Sequence, residues 1–373
     1  MQRVDYPLYF YLSIHLETLF KEKPETTRMP HHTFFKFIWP SALAMLVFIA
    51  LPIISITIQS FYIDHEQVLV TVENCGPFGC KEVTKVDVEA TRALSEQKPL
   101  GKFNGFGTYT NRNHLAFSHI SEAWNAAPNL GYFIGEVLNL PFYKALSFTL
   151  TYTFIVTPCV IILGFCIALC VNRLPSIFKG PTIFVSLLPM IITPLIGSLV
   201  LFWMIDAEGI IGSFLKIIFD DPSLSLKASP TLTWIMLIVY GIWHHAPFAF
   251  VVFYAGLQTV PKDTLESAMI DGASKWEQTQ YVVVPHLMPL VVFISLIQLM
   301  DNFRVFEPIV GFNAQASATS LSWLIYNDFR SGDGAMLFGS AAATSILTII
   351  GVSILLTPII VRTWQSSKPA VRG

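Results

Sequence analysis

The chain has 373 residues, of which 53% are hydrophobic and only 13% charged, with a net charge of -2. Soluble chains carry about 25% charged residues, so this much apolar surface cannot be wrapped in a water-facing shell and a bilayer is its natural solvent. No basic stripe appears, which removes nucleic acid as a partner.

In chain order, residues 1–36 read as a cytoplasmic extension. Pro7–Phe20 is aromatic-rich but interrupted by His15 and Glu17. It lacks a basic n-region and a small-residue cleavage site, so a helix lying at the interface is expected. Six apolar stretches then have the roughly 20 residues a membrane helix needs: Phe37–Phe61, Tyr143–Val171, Pro181–Ile205, Leu232–Leu257, Leu287–Phe312 and Ala335–Trp364. The predicted fold class is therefore an all-α integral membrane protein. It has a first span (37–61), a long outer loop (62–142), a five-span transmembrane core (143–364) and a short tail (365–373). With both termini inside, the cytoplasmic segments hold twelve Lys and Arg, while the short outer loops hold only Lys216, Lys227 and Arg330. That is a positive-inside bias, and it sets both termini on the cytoplasmic side of the membrane.

Five cysteines are too few for a disulfide scaffold. Cys159, Cys166 and Cys170 share one apolar run and read as packing residues. Cys75 and Cys80 flank Gly-Pro-Phe-Gly in the outer loop, where an oxidising milieu makes a disulfide the expected state; two unpaired thiols in a turn are the alternative. No second Cys or His pair with ligand spacing stands nearby, so no metal is expected.

Catalytic signatures are missing. Gly101-Lys102 is followed by Phe103, so the phosphate cradle of a nucleotide hydrolase is absent. His65-Glu66 lacks a second zinc-binding His. His244 and His245 are adjacent on one helix rather than opposed on two, as a membrane haem requires. No catalytic residues and no cofactor are expected.

The loop 261–285, between the fourth and fifth apolar stretches, is polar yet strongly patterned. Asp263 and Glu266 form an N-cap pattern, and Leu265, Ala268 and Met269 share a helical face. Asp271-Gly272 stops that helix, and Ser274 with Glu277 begins a second one toward Pro285. So short a helix is marginal alone in water, and its apolar face must dock on this chain or on a partner. The run Glu266-Ser-Ala268-Met269-Ile-Asp271-Gly272, with Pro285 beyond it, resembles the E-A-A-x-x-D-G motif of binding-protein-dependent ABC importer permeases, with Ser267 in place of the first alanine. The chain from about Tyr143 to Arg362 is similar to the carbohydrate permeases of the maltose-transporter family, through Leu188-Pro189, Trp203 and the Leu257–Pro261 lead into the motif. Val310–Ser317 differs from that family's usual Gly-Gly-Pro turn. The resemblance implies a second permease subunit, two ATP-binding subunits and a periplasmic sugar-binding protein as partners. It also implies an ATPase-coupling role for Glu266, Ala268, Met269, Asp271, Gly272 and Pro285.

Ionisable residues at membrane depth read as functional. Gln298, Asp301 and Arg304 recur every third residue in the fifth stretch, beside Asn302 and Glu307; the fourth offers Trp243, His244, His245 and Phe248. Aromatic faces flanked by hydrogen-bonding groups suit a sugar, so Asp301, Asn302, His244, Trp243, Gln298 and Arg304 are the candidate pathway residues. A structural Asp301–Arg304 ion pair, with the histidines serving backbone carbonyls, is the other reading. A stand-alone secondary transporter or channel is the competing function. It would more often have ten or twelve spans with internal repeats, and no repeat is evident here. The outer-loop reading carries a test: thiol reagents applied to intact cells are expected to label Cys75 and Cys80 only after reduction. Labelling of both without reductant removes the disulfide.

Overall fold

The computed structural model describes residues 31–63, 68–76, 79–97, 100–220, 225, 227, 229–330 and 337–367. The expected interfacial helix Pro7–Phe20 lies outside them, as do residues 368–373 of the tail. The chain divides into two compact units, Met1–Ser55 and Ile56–Gly373. α1 (His31–Met45) runs through a π-turn, Leu46–Ala50, into α2 (Leu51–Gln59), whose residues from Ile56 on belong to the second unit. The widened turn sits just before Pro52, where a proline ring would clash with the carbonyl four residues back in a regular helix. Phe37 and Phe48 are exposed, as lipid-facing side chains are.

After the end of α2, the second unit continues with β1 (Tyr62–Ile63), a hairpin of β2 (Leu69–Gly76) and β3 (Gly79–Val86), α3 (Val88–Gln97) and β4 (Lys102–Phe103). β1 pairs antiparallel with β4, so two short ladders are added to an otherwise helical chain. The β2–β3 register sets the Cys75 backbone opposite that of Cys80; the cysteine side chains lie outside the described residues. Short helices α4 (Gly107–Thr110), α5 (Phe117–Ala126) and α6 (Leu130–Leu138) follow.

The core comprises α7 (Pro141–Asn172), α8 (Ser176–Ile191), α9 (Pro194–Met204), α10 (Ile210–Phe219), α11 (Pro230–Leu257), α12 (Lys262–Ile270), α13 (Lys275–Gln278), α14 (Val284–Phe303), α15 (Glu307–Gly311), α16 (Leu321–Phe329) and α17 (Phe338–Ser367). Across the chain, five described helices are long and apolar enough to cross a membrane, or six if the α8–α9 pair counts as one span. α7 packs along α11, with α14 against both. Phe148, Tyr152, Leu237, Phe250, Phe253, Leu287 and Ile294 are fully buried between them.

Two expected spans are corrected. Pro181–Ile205 is not one straight helix: α8 and α9 meet at 94°. Pro194 pushes Thr193 into an extended conformation (φ -61°, ψ 142°) and then occupies the first turn of α9, where its missing N–H costs nothing. Leu287–Phe312 is likewise broken. α14 ends at Phe303, Arg304–Phe306 leave the helical region, and α15 restarts at Glu307 with Pro308 in its first turn. Continuing α14 would drive the Pro308 ring into the Arg304 carbonyl. At the far end of α15, Asn313 takes the left-handed position (φ 49°) that glycine usually fills. The apolar helix α10 was not expected.

A buried histidine ties the segment before α5 to the last helix. His114 Nδ1 lies 2.8 Å from Asn111 Oδ1, and Nε2 lies 3.0 Å from Thr344 Oγ1 and 3.1 Å from the Ser340 carbonyl. Ser340 Oγ donates to Asp328 at 2.7 Å, which brings α16 into the same cluster. Burial lowers the His114 pKa and raises that of Asp328. The His114 contribution to stability is therefore complete above the unfolded value of about 6.5 and is lost as pH falls through the lower folded value. The Asp328 contribution has the opposite sign. In an Asp328→Asn background, acidification from about pH 7.5 to about pH 5.5 should lower the amide protection factors of residues 107–116, taken against the intrinsic exchange rate at each pH, and His114→Gln should remove most of that pH dependence.

Candidate functional site

The two helix breaks meet in one cavity of about 380 Å³. Its wall is built from Tyr152 of α7, Pro194 of α9, Tyr240, Gly241, His244 and His245 of α11, Asp301 and Asn302 of α14, Arg304–Phe306 of the break, and Glu307 and Pro308 of α15. Irregular backbone at membrane depth is tolerated where it is buried in protein or lines such a cavity. The break is also satisfied internally: Ser320 Oγ donates to the Val305 carbonyl at 2.6 Å while accepting from the Trp323 N–H, so one hydroxyl serves the break and caps α16.

Of the expected pathway residues, Asp301, Asn302, Arg304 and His244 come together here. Gln298 and Trp243 do not line the cavity. Gln298 is buried beneath Asn302 and accepts from its amide at 3.5 Å. Trp243 is exposed, its ring 6.0 Å from that of Tyr240. Asn302 is fixed by a second bond, Nδ2 to Thr157 Oγ1 at 3.0 Å. These bonds use the amide hydrogens and leave Asn302 Oδ1 without a partner. Tyr152 Oη and His244 Nδ1 are also buried and unpartnered, so three of the four such side-chain atoms among the described residues belong to this wall. An unmet buried polar group costs about 1–3 kcal/mol, and three around one cavity make a wall that gains by meeting a polar ligand. The sequence reading missed Tyr152 and Tyr240, because tyrosines in apolar runs look like packing residues. Gly241 gives Tyr152 its place: a Cβ there would collide with the tyrosine oxygen. His244 stacks on Tyr240 (ring centroids 5.7 Å, planes 10° apart), with His245 edge-on to it at 5.3 Å.

Arg304 Nη2 donates to Asp301 Oδ1 at 2.9 Å, an i,i+3 pair with both side chains more than a third exposed. A pair this open contributes about 0–1 kcal/mol. It is a weak reason to keep two charges at this depth, so the pair is better explained by what it presents to the cavity.

At the other candidate site, α12 begins at Lys262 after Pro261, with no side-chain cap. Asp263 sits in the first turn and is not the N-cap, because Pro261 already has the extended backbone that precedes a helix. The helix end matches the expectation. Gly272 has φ 84°, its N–H bonds the Met269 carbonyl and the Ala273 N–H bonds the Ala268 carbonyl, the pattern of a left-handed helix stop. The Ser274–Glu277 capping box is present in both directions. Pro285 lies in the first turn of α14, directly after a second π-turn, Thr279–Val283. The expected apolar face is split: Leu265 packs on this chain's own core and Ala268 is half-buried, whereas Met269 is 56% and Ile270 87% exposed. Glu266 and Asp271 are exposed.

The chain was compared with known proteins. It is 28% identical to the trehalose/maltose transport system permease protein MalF of Thermococcus litoralis over 214 residues, 56% of this chain and 70% of that one. It is 27% identical to the trehalose transport system permease protein SugA of Mycobacterium tuberculosis over 252 residues, 65% of this chain and 79% of that one. The multiple sugar-binding transport system permease protein MsmF of Streptococcus mutans is 30% identical over 219 residues, 57% and 73% of the two chains. Among solved structures, a bacterial ABC transporter involved in import of the acidic polysaccharide alginate superposes with a TM-score of 0.59 at 17% identity, covering 96% of this chain and all of that one. The alginate transporter in complex with its alginate pentasaccharide-bound periplasmic protein gives 0.53 at 21% identity, over 69% and 90%. The profile of the binding-protein-dependent transport system inner membrane components matches residues 129–364, well over half of the sequence, and the chain belongs to that family.

Proposed function

We propose that this chain is one of two permease subunits of an ATP-driven importer for a sugar or sugar derivative, that its cavity between α7, α11 and the α14–α15 break lies on the translocation path, and that the loop 261–285 couples it to separate ATP-binding subunits. The observation that carries the cavity reading is the convergence of three buried, unpartnered polar atoms on one space beside an aromatic ring stack. Sugars present hydroxyls that both donate and accept, and ring faces that pack on aromatics. The sugar-transport names of the relatives support the substrate class.

A periplasmic binding protein delivers the sugar in this reading, as the alginate neighbour's complex suggests. Both termini are cytoplasmic, in line with the positive-inside charge distribution. The absent phosphate loop fits a conduit driven by separate ATPases. The exposed Met269 and Ile270, with Trp276 72% exposed nearby in sequence, are the apolar contacts offered to an ATPase subunit, while Leu265 anchors α12 to its own bundle.

Two experiments test this. Tyr152→Phe removes a hydroxyl with no partner in the protein, so complex assembly should be unchanged or improved. Uptake of the transported sugar should fall about tenfold, the cost of one good hydrogen bond. Unchanged uptake in a normally assembled complex removes the hydroxyl from the path. In the coupling loop, Ile270→Asp should leave the bundle folded and release the ATPase subunits. Gly272→Val should also uncouple transport: space around Gly272 is open, but the left-handed backbone costs a β-branched residue more than about 1–2 kcal/mol. Retention of bound ATPase and wild-type uptake by both variants revives the secondary-transporter alternative.

A further inference from the structure

The cavity wall has a definite electrostatic and hydrogen-bonding sense. Its charged side chains are Asp301, Arg304 and Glu307. Asp301 and Arg304 neutralise one another at 2.9 Å, and Arg304 Nε is also committed, donating to the Met300 carbonyl at 3.3 Å. Glu307 has no cationic partner among the described residues, so one cation stands against two carboxylates. Of the other titratable groups facing the space, His244 stacks on Tyr240 and meets His245 edge-on, and neither forms an ion pair with a carboxylate among the described residues. Of the three unpartnered wall atoms, Tyr152 Oη and His244 Nδ1 can each donate or accept, so Asn302 is the one that adds a fixed sense. Thr157 and Gln298 take the Asn302 amide hydrogens, so the unpartnered atom it offers is an oxygen that can only accept. A ligand must therefore bring donors to Asn302 Oδ1 and to the Glu307 carboxylate.

We infer that this wall admits neutral or amino-bearing saccharides and repels saccharides carrying carboxylates, with Glu307 setting the sign of the selection. A hydroxyl donates to both acceptors, and an ammonium does so with charge assistance. A uronate carboxylate only accepts. Opposite Asn302 Oδ1 it forms no bond, and near Glu307, whose carboxylate is exposed, it meets a like charge that salt can screen. The related fold that imports the acidic polysaccharide alginate does not carry its substrate's charge over to this wall. The inference rests on the proposed translocation path and narrows its substrate class.

The test uses the complete importer, with its partner permease and ATPase subunits, in lipid nanodiscs and without the binding protein, so that only the membrane cavity selects. A tritium-labelled pool of neutral starch oligosaccharides is the probe. Unlabelled neutral, chitosan-derived amino and alginate-derived uronate oligosaccharides of matched length compete with it. In the native complex the neutral and amino pools should displace the label, the uronate pool should need at least about tenfold higher concentration, and that gap should shrink as salt is raised. E307Q should narrow the gap to about threefold or less, and E307K should turn it in favour of uronates. Equal competition by the uronate pool in the native complex overturns the inference without involving any variant, as does a gap that E307Q leaves unchanged. Failure of every pool to bind overturns the translocation-path reading itself, a result distinct from binding without charge discrimination.

Discussion

Every backbone N–H and C=O at hydrocarbon depth must find a partner within the protein. That constraint organises the core. α7, α11 and α17 meet it as long helices. α8–α9 and α14–α15 interrupt their ladders at Ile192–Thr193 and Arg304–Phe306; the second break lines the cavity and Pro194 brings the first to its edge, while Ile192 and Thr193 themselves are exposed. α9 packs against α15, so the two broken segments support each other. Ser320 and Tyr240 serve carbonyls beside the breaks, at Val305 and Pro194. The cavity is the space this arrangement leaves.

The polar residues at that depth divide into support and presentation. Thr157 and Gln298 hold Asn302, Tyr240 carries His244, and Gly241 makes room for the Tyr152 hydroxyl. What reaches the cavity is a small set of unmet hydrogen-bonding atoms and one unpaired carboxylate. A set meant only for stability would have closed its own hydrogen bonds, because each unmet group is costly in a low dielectric.

The loop 261–285 follows a related plan by different means. Its backbone is over-determined by a left-handed glycine stop, a reciprocal capping box and a π-turn that accommodates Pro285. Leu265 fastens α12 inward while Met269 and Ile270 remain open. A rigid element attached to the bundle on one face and bare on the other is suited to passing a displacement from a partner into the helices.

Much of this was legible in the sequence, because the signals are local. Runs of apolar residues long enough to span a bilayer mark the membrane helices, as only a helix or a closed barrel satisfies its backbone there. Asp271-Gly272 and Ser274…Glu277 fix a helix stop and start through contacts within a few residues. The phosphate loop is a contiguous motif, and its absence could be read directly. Hydropathy could not reveal the 94° bend at Thr193, since Pro194 interrupts a run that remains apolar, and the polar residues around Arg304 read as positions within a continuous span rather than as its break. Helical spacing placed Gln298 with Asp301 and Arg304, yet the tertiary packing turned Gln298 under Asn302 and left it serving that side chain. The same packing split the expected apolar face of α12 between the core and the surface. Tyr152, Tyr240 and Glu307 joined the cavity only through contacts between segments up to about 150 residues apart. Local propensity sets which segments are helices and where they stop. Which atoms face a shared space depends on how those helices cross, and that is decided by long-range packing.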